Sequence, residues 1–135
     1  MITDHTGLPV TAASQEAADA FDRTLVAYLR FGNDIGDLLK TTYAQDSEMV
    51  LANVLRGYFM HMMGMRALVP KAQQSLEAAQ RGADAATPRE QLHVKALEAW
   101  CHLDLAGATA AWEQSIEDNP MDVLAVKMLH YTHFY

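Results

Sequence analysis

From Ser14 onward the apolar residues recur every three or four positions, the spacing of helices that bury one face. Behind Ser14, a natural N-cap, the stripe Ala17, Phe21, Leu25 and Tyr28 predicts a helix to about Arg30. Residues 32–46, with Gly32, Asn33, Asp34 and Gly36, read as a loop with at most a short helix around Leu38 to Tyr43. Asp46 or Ser47 then caps a helix over roughly 47–64 that is apolar on nearly every side, interrupted mainly by Asn53, Arg56 and His61. A helix without a wet face belongs in the middle of a fold. Pro70 opens the next helix, with Ala72, Leu76 and Ala79 inward, and Gly82 is expected in the left-handed position just past its end.

The second half repeats one helix-start signal. Thr87, Pro88 and Glu90 supply a hydroxyl cap, a proline at the first helical position and a carboxylate that reaches back; Asn119, Pro120 and Asp122 supply a similar set. Between them Ala108, Ala111, Trp112, Ser115 and Ile116 share one face, small residues beside large, suited to a closely packed neighbour. Leu105, Ala106 and Gly107 are expected as the tight turn before that helix. Starts near Ser47, Pro88 and Pro120 lie about 41 and 32 residues apart, near the thirty-four-residue tetratricopeptide period without matching it strictly.

The expected fold class is therefore all-α, a tetratricopeptide-like array of antiparallel helical hairpins (an α-solenoid) in one domain. Residues 1–13 form an extended leader, 14–64 the first helices, 65–119 the repeat hairpins, and 120–135 the start of a helix left unpaired or completed by a partner. On that last helix Leu124, Met128 and Tyr131 form one stripe, with Phe134 close beside it. Terminal repeats normally need a polar outer face, so these four residues are a candidate interface for a second copy or another protein, and a homo-oligomer is expected.

Composition narrows the partners. With 50% hydrophobic residues in 135, the chain can bury a real core. A formal charge of -7, with no Lys/Arg run, argues against nucleic acid and anionic membranes. No apolar run approaches the roughly 20 residues of a membrane-spanning helix. The single cysteine, Cys101, has no internal disulfide partner, and no charged leader with an apolar segment precedes the first helix. A cytoplasmic setting is expected.

Candidate chemistry is sparse. Arg89 and His93 are i, i+4 neighbours and Lys127 and His130 i, i+3 neighbours; on equivalent helices of adjacent hairpins the four would line a cationic wall suited to a carboxylate or phosphate. The plainer reading makes His93 and His130 interface histidines satisfied by a carbonyl or carboxylate, and Glu90 and Asp122 helix caps. Scattered histidines without clustered carboxylates argue against a metal, and no cofactor is expected. Cys101 lies late in an apolar helix beside Trp100, where a thiol acts as a small hydrophobe, and no nucleophile or nucleotide motif is present.

Several blocks of the sequence resemble the amino-terminal part of the tetratricopeptide repeat protein 38 family. They are Leu8-Pro9, Thr11, Ser14, Glu16-Ala17, Phe21-Asp22, Thr24-Leu25, Tyr28 and Asn33-Asp34, then Arg89 to Val94, Trp112 to Gln114, Pro120, Asp122, Leu124-Ala125, Lys127, His130 and Phe134-Tyr135. They fall in the same order and at similar spacing. Members are several-fold longer and continue with further helical repeats; the family carries no established reaction, so the resemblance implies a fold and supplies no catalytic residues. The expected function is a tetratricopeptide-like protein-interaction or assembly module for a peptide or protein partner. The alternative is part of an enzyme or small-anion-binding protein, its site lined by Arg89, His93, Lys127 and His130 and completed by further repeats or a second subunit.

Overall fold

The computed structural model describes residues 2–4, 7–29, 42, 46, 48–62 and 66–134. Among these residues the fold is all-helical, with six α-helices: α1 Gln15–Leu29, α2 Val50–Met62, α3 Val69–Ala83, α4 Pro88–Cys101, α5 Leu105–Asp118 and α6 Val123–Phe134. A 3-10 turn, Arg66–Leu68, leads into α3. The short helix expected within residues 32–46 lies outside the described residues, apart from Thr42 and Asp46.

From α2 onward each helix packs against the next in the chain, and α2 also packs against α4. The core runs between them. Helix α2 is its axis, buried continuously from Val50 to Leu55, with Asn53 inside as well. Asn53 is tolerated because its side-chain amide donates to the Met49 carbonyl, leaving the polar group satisfied. Ala17, Phe21 and Leu25 of α1, Ala72, Leu76 and Ala79 of α3, and Ala108, Ala111, Trp112 and Ser115 of α5 are all buried, as their spacing predicts. The Tyr28 side chain lies outside the described residues.

Helix ends depart from expectation in three places. Gly82 does not stop α3 in a left-handed conformation; it lies within the helix, where a Cβ would come within 2.9 Å of a Val50 methyl carbon. Its role is close approach of α3 to α2, and the helix runs on to Ala83. The turn between α4 and α5 is His102–Asp104, ahead of the expected Leu105-Ala106-Gly107, with Leu103 in the left-handed region at φ 61°. Asp104 caps α5 by accepting from Gly107 N–H, and a Cβ on Gly107 would collide with that carboxylate. Finally, Asn119 and Pro120 stay outside α6. Asp122, expected as a cap, is the N-cap itself, accepting from Ala125 N–H at 3.2 Å.

The leader is not simply extended. Ile2 and Val10 pair through Val10 N–H and the Ile2 carbonyl, Thr3 and Pro9 form an isolated bridge, and Gly7 turns the chain at φ 85°. This folded arm buries Val10 and Asp4.

The tightest helix contact is at Gly57, where a Cβ would come within 2.6 Å and 2.8 Å of the two Leu97 methyl carbons. Gly57→Ala gains helix propensity, about 1 kcal/mol at most, but overpacks this α2–α4 contact at about 1–3 kcal/mol. We predict a net loss of stability, read as a lower urea midpoint at unchanged m-value. A midpoint at or above that of the parent chain would show that Leu97 yields freely.

Candidate functional site

The richest chemistry gathers where α2, α4, α5 and the start of α6 meet the N-terminal arm. Its centre is Asp122, fully buried at the cap of α6. His93 of α4 places Nε2 2.8 Å from Asp122 Oδ2, and Ser115 of α5 donates its hydroxyl to the same oxygen. The other oxygen caps α6 and lies 3.5 Å from Arg89 Nη1. A carboxylate only accepts, so Nε2 of His93 carries a hydrogen. Nδ1 of the same ring lies 2.8 Å from the Tyr58 hydroxyl, which accepts from Trp112 Nε1 at 2.9 Å and also lies 3.1 Å from the His93 carbonyl.

Arg89 links this group to the arm. Its Nη2 lies 3.1 Å from Asp4 Oδ2, as an ion pair without hydrogen-bond geometry, and Arg89 Nε and Glu90 Oε2 are likewise buried without a hydrogen-bond partner among the described residues. Glu90 completes the capping box predicted with Thr87: Glu90 N–H donates to Thr87 Oγ1 at 3.3 Å, and Glu90 Oε1 accepts from Thr87 N–H at 3.2 Å. The same oxygen also accepts from the backbone N–H and hydroxyl of Thr11, each at 2.9 Å. One residue thus starts α4 and anchors the arm.

Local packing explains why these groups meet. Tyr58 and Trp112 pack edge to face at 5.7 Å and 78°, and Trp100 meets Trp112 at 5.9 Å and 85°, the tilted geometry that aromatic quadrupoles favour. This aromatic wall fixes the Tyr58 hydroxyl against His93. Burial alone would raise the Asp122 pKa; the charge and hydrogen bond of His93, then Arg89 and the Ser115 hydroxyl, outweigh it and hold the carboxyl well below the usual range.

Serine, histidine and aspartate occur together here, but not as a hydrolase arranges them. The aspartate stands between the other two, and Ser115 has no exposed surface on which to meet a substrate. Of the four residues grouped as a cationic wall, Arg89 and His93 are sealed, at 6% and 1% exposure, and face carboxylates. That corrects the expectation of an open anion site for these two. Lys127 is half-buried and His130 exposed, both on α6. A cleft of about 180 Å³ reaches Arg89 past Pro9 and Asn119, but Asp118 lines it too, and Asp4 and Asp122 already flank the guanidinium. An anion entering there meets mostly negative charge.

The candidate interface changes as well. Leu124 and Met128 are buried in the chain's own core, because the Asp122 cap turns that stripe of α6 inward against α5; they offer no surface to a partner. The side chains of Tyr131 and Phe134 lie outside the described residues. Among the described residues the exposed large apolar positions are instead Val69 at the start of α3, Leu103 and Leu105 at the α4–α5 turn, and Met121 and Val126 around α6. Among the described residues no group of three or more His, Cys, Asp or Glu is placed to hold a metal ion. Asp4, Tyr58, Trp112 and Ser115 were not singled out as site residues from sequence. Ser115 and Trp112 lay on the predicted inner face of α5, and that was their only signal.

A shallower feature lies on the outer side of the α4–α5 hairpin. Pro88, Gln91, Leu92 and Lys95 of α4 and Gln114 and Asp118 of α5 line an open groove of about 390 Å³. No family model matches the chain and no solved structure matches it.

Two outcomes test the cluster. Asp122→Ala leaves Arg89 and His93 without their shared carboxylate and removes the α6 cap, so we expect a loss of about 3–5 kcal/mol, measured by urea unfolding; a change near zero would mean the network adds no stability. Because the folded-state pKa of Asp122 is depressed, its contribution is present above the unfolded value near 3.9 and is lost as pH falls through the folded value. Stability should therefore fall on acidification below about pH 4, with a shallower slope in Asp122→Asn.

Proposed function

We propose that this chain is a tetratricopeptide-like interaction module that binds an extended segment of a protein partner. The observation that carries the reading is where the reactive groups are placed. Arg89, His93 and Asp122 are buried and paired with one another, joining helices, and the cleft that reaches Arg89 is flanked by carboxylates, while the outer side of α4 and α5 carries an open groove. The order of packing, each helix from α2 onward on the next with α2 also on α4, is compatible with a stack of antiparallel hairpins and supports the solenoid reading. So does the resemblance to the tetratricopeptide repeat protein 38 family.

The groove suits a peptide. Leu92 and Pro88 give it an apolar part, and Gln91, Gln114, Lys95 and Asp118 add amides and charges of both signs. Such polar groups suit the alternating carbonyls and N–H groups of an extended backbone, and the apolar part suits a side chain. A cytoplasmic location and assembly with a second copy belong to the same reading. No helix among the described residues is long and apolar enough to cross a membrane.

Selection of extended peptides from a displayed random library tests it. Peptides retained by the parent chain should lose binding to Leu92→Asp, with the melting temperature unchanged. If no peptide is retained, or those retained bind Leu92→Asp equally, the groove is not the binding surface. A stoichiometric small molecule seen by native mass spectrometry would instead favour the anion-site alternative.

A further inference from the structure

Away from the buried cluster, two helices bring one more pair of chemically able side chains together. His61, near the end of α2, places Nε2 3.3 Å from Cys101 Sγ, at the end of α4. The His61 ring lies flat on Trp100, 4.9 Å between centroids and 14° between planes, which fixes the edge it turns toward the sulfur. Both residues are half-buried, so the pair can be reached from solvent, unlike Asp122 and His93. Burial lowers the His61 pKa; burial, with Glu98 adding to it, pushes the Cys101 thiol up to about 11. Both groups rest uncharged, and a thiol held this way is a poor nucleophile.

We propose that His61 and Cys101 form a two-donor site for a soft monovalent cation, Cu(I). Thiolate sulfur and imidazole nitrogen are donors of the class this ion selects. Zinc sites take three or four protein donors, and the described residues place no third His, Cys, Asp or Glu with this pair. A closed-shell monovalent ion is content with two.

Charge decides in the same direction. The thiol proton leaves to solvent as the copper–sulfur bond forms: Cys101-SH, neutral His61 and Cu(I) give a neutral Cys101-S–Cu–His61 unit and one proton, and no electron is transferred. A half-buried place that disfavours charge accepts that neutral product. A divalent ion on the same two donors would leave a net positive charge there. Metal bonds of the length zinc makes, roughly 2.3 Å to sulfur and 2.0 Å to nitrogen, would together span more than the present 3.3 Å. Binding therefore swings the Cys101 side chain outward, a rotamer-scale move at a helix end. Met60 and Met62, both half-buried, flank His61 in sequence with thioethers of the same soft class.

The test is an anaerobic titration of the full chain with Cu(I) held by a chromophoric chelator, with the ultraviolet copper–thiolate band followed in parallel. The expected result is one Cu(I) per chain, no thiolate band in Cys101→Ser, and affinity at least an order of magnitude lower in His61→Gln that circular dichroism shows to be folded. Nitrogen NMR of the parent chain reads His61 without any substitution, and its Nε2 resonance should shift on adding Cu(I). Failure of the chain to draw Cu(I) from the chelator overturns the proposal. So does equal affinity in His61→Gln, or a Nε2 resonance that does not move, since the thiol alone would then hold the ion.

Discussion

Taking a carboxylate out of water costs several kcal/mol unless its oxygens are met by charge and hydrogen bonds, and Asp122 has been taken out of water entirely. Four partners meet it: the His93 ring, the Ser115 hydroxyl, the Arg89 guanidinium and the Ala125 N–H. Each comes from a different place in the chain or a different turn of helix, so satisfying one carboxylate sets α4, α5 and α6 relative to one another. Arg89 extends the constraint to the N-terminal arm through Asp4, and His93 extends it to α2 through Tyr58. Remove the carboxylate and His93 Nε2 is left buried without an acceptor, while Arg89 keeps only Asp4.

The apolar core does not impose this arrangement. On α3, α4 and α5 five alanines, Ala72, Ala79, Ala96, Ala108 and Ala111, are buried beside Leu76, Val94 and Leu97. Small side chains let backbones approach closely and contribute area, but they hold helices in register weakly, because one alanine fits where another does. Hydrogen bonds to a single carboxylate are met in one register only. The largest buried side chains of α4 and α5, Trp100 and Trp112, lie with Tyr58 of α2 beside the polar cluster, and Trp112 donates into it. Packing and polar satisfaction therefore meet at one joint between α2, α4, α5 and α6.

How much of this can be read from the sequence depends on range. The Thr87–Glu90 box is legible because both partners sit three residues apart and the geometry is local. The inward faces of α1, α3 and α5 are legible because periodicity is a property of one helix. Asn119 and Pro120 carried the same local signal as Thr87 and Pro88, yet Asp122 takes the cap, since its carboxylate serves His93 and Arg89 as well as Ala125, and that gain comes from elsewhere in the fold. Gly82 misled for the same reason: a glycine near a helix end and a glycine under a neighbour's side chain look alike until Val50 is in place. Arg89 and His93 were legible as a pair on one face of α4. Their carboxylate partners, one in the arm and one at the start of α6, were not.

The same distinction separates the chain's histidines. His93 and His61 both touch aromatic rings, although only His93 stands out in the sequence, as one of a pair on a helix face. Burial and partner divide them. His93 has no exposed surface and spends both ring nitrogens inside the protein, one on a carboxylate and one on a phenol, which leaves it nothing to offer a ligand. His61 is half-buried and has a thiol beside it as a weak hydrogen-bond partner, which a metal ion can replace at little cost in lost interactions. The more strongly bonded histidine is thus the structural one, and the weakly bonded, reachable one retains the capacity to bind. A search for function in this fold therefore belongs at its half-exposed pairs and grooves, away from the polar cluster that first draws the eye.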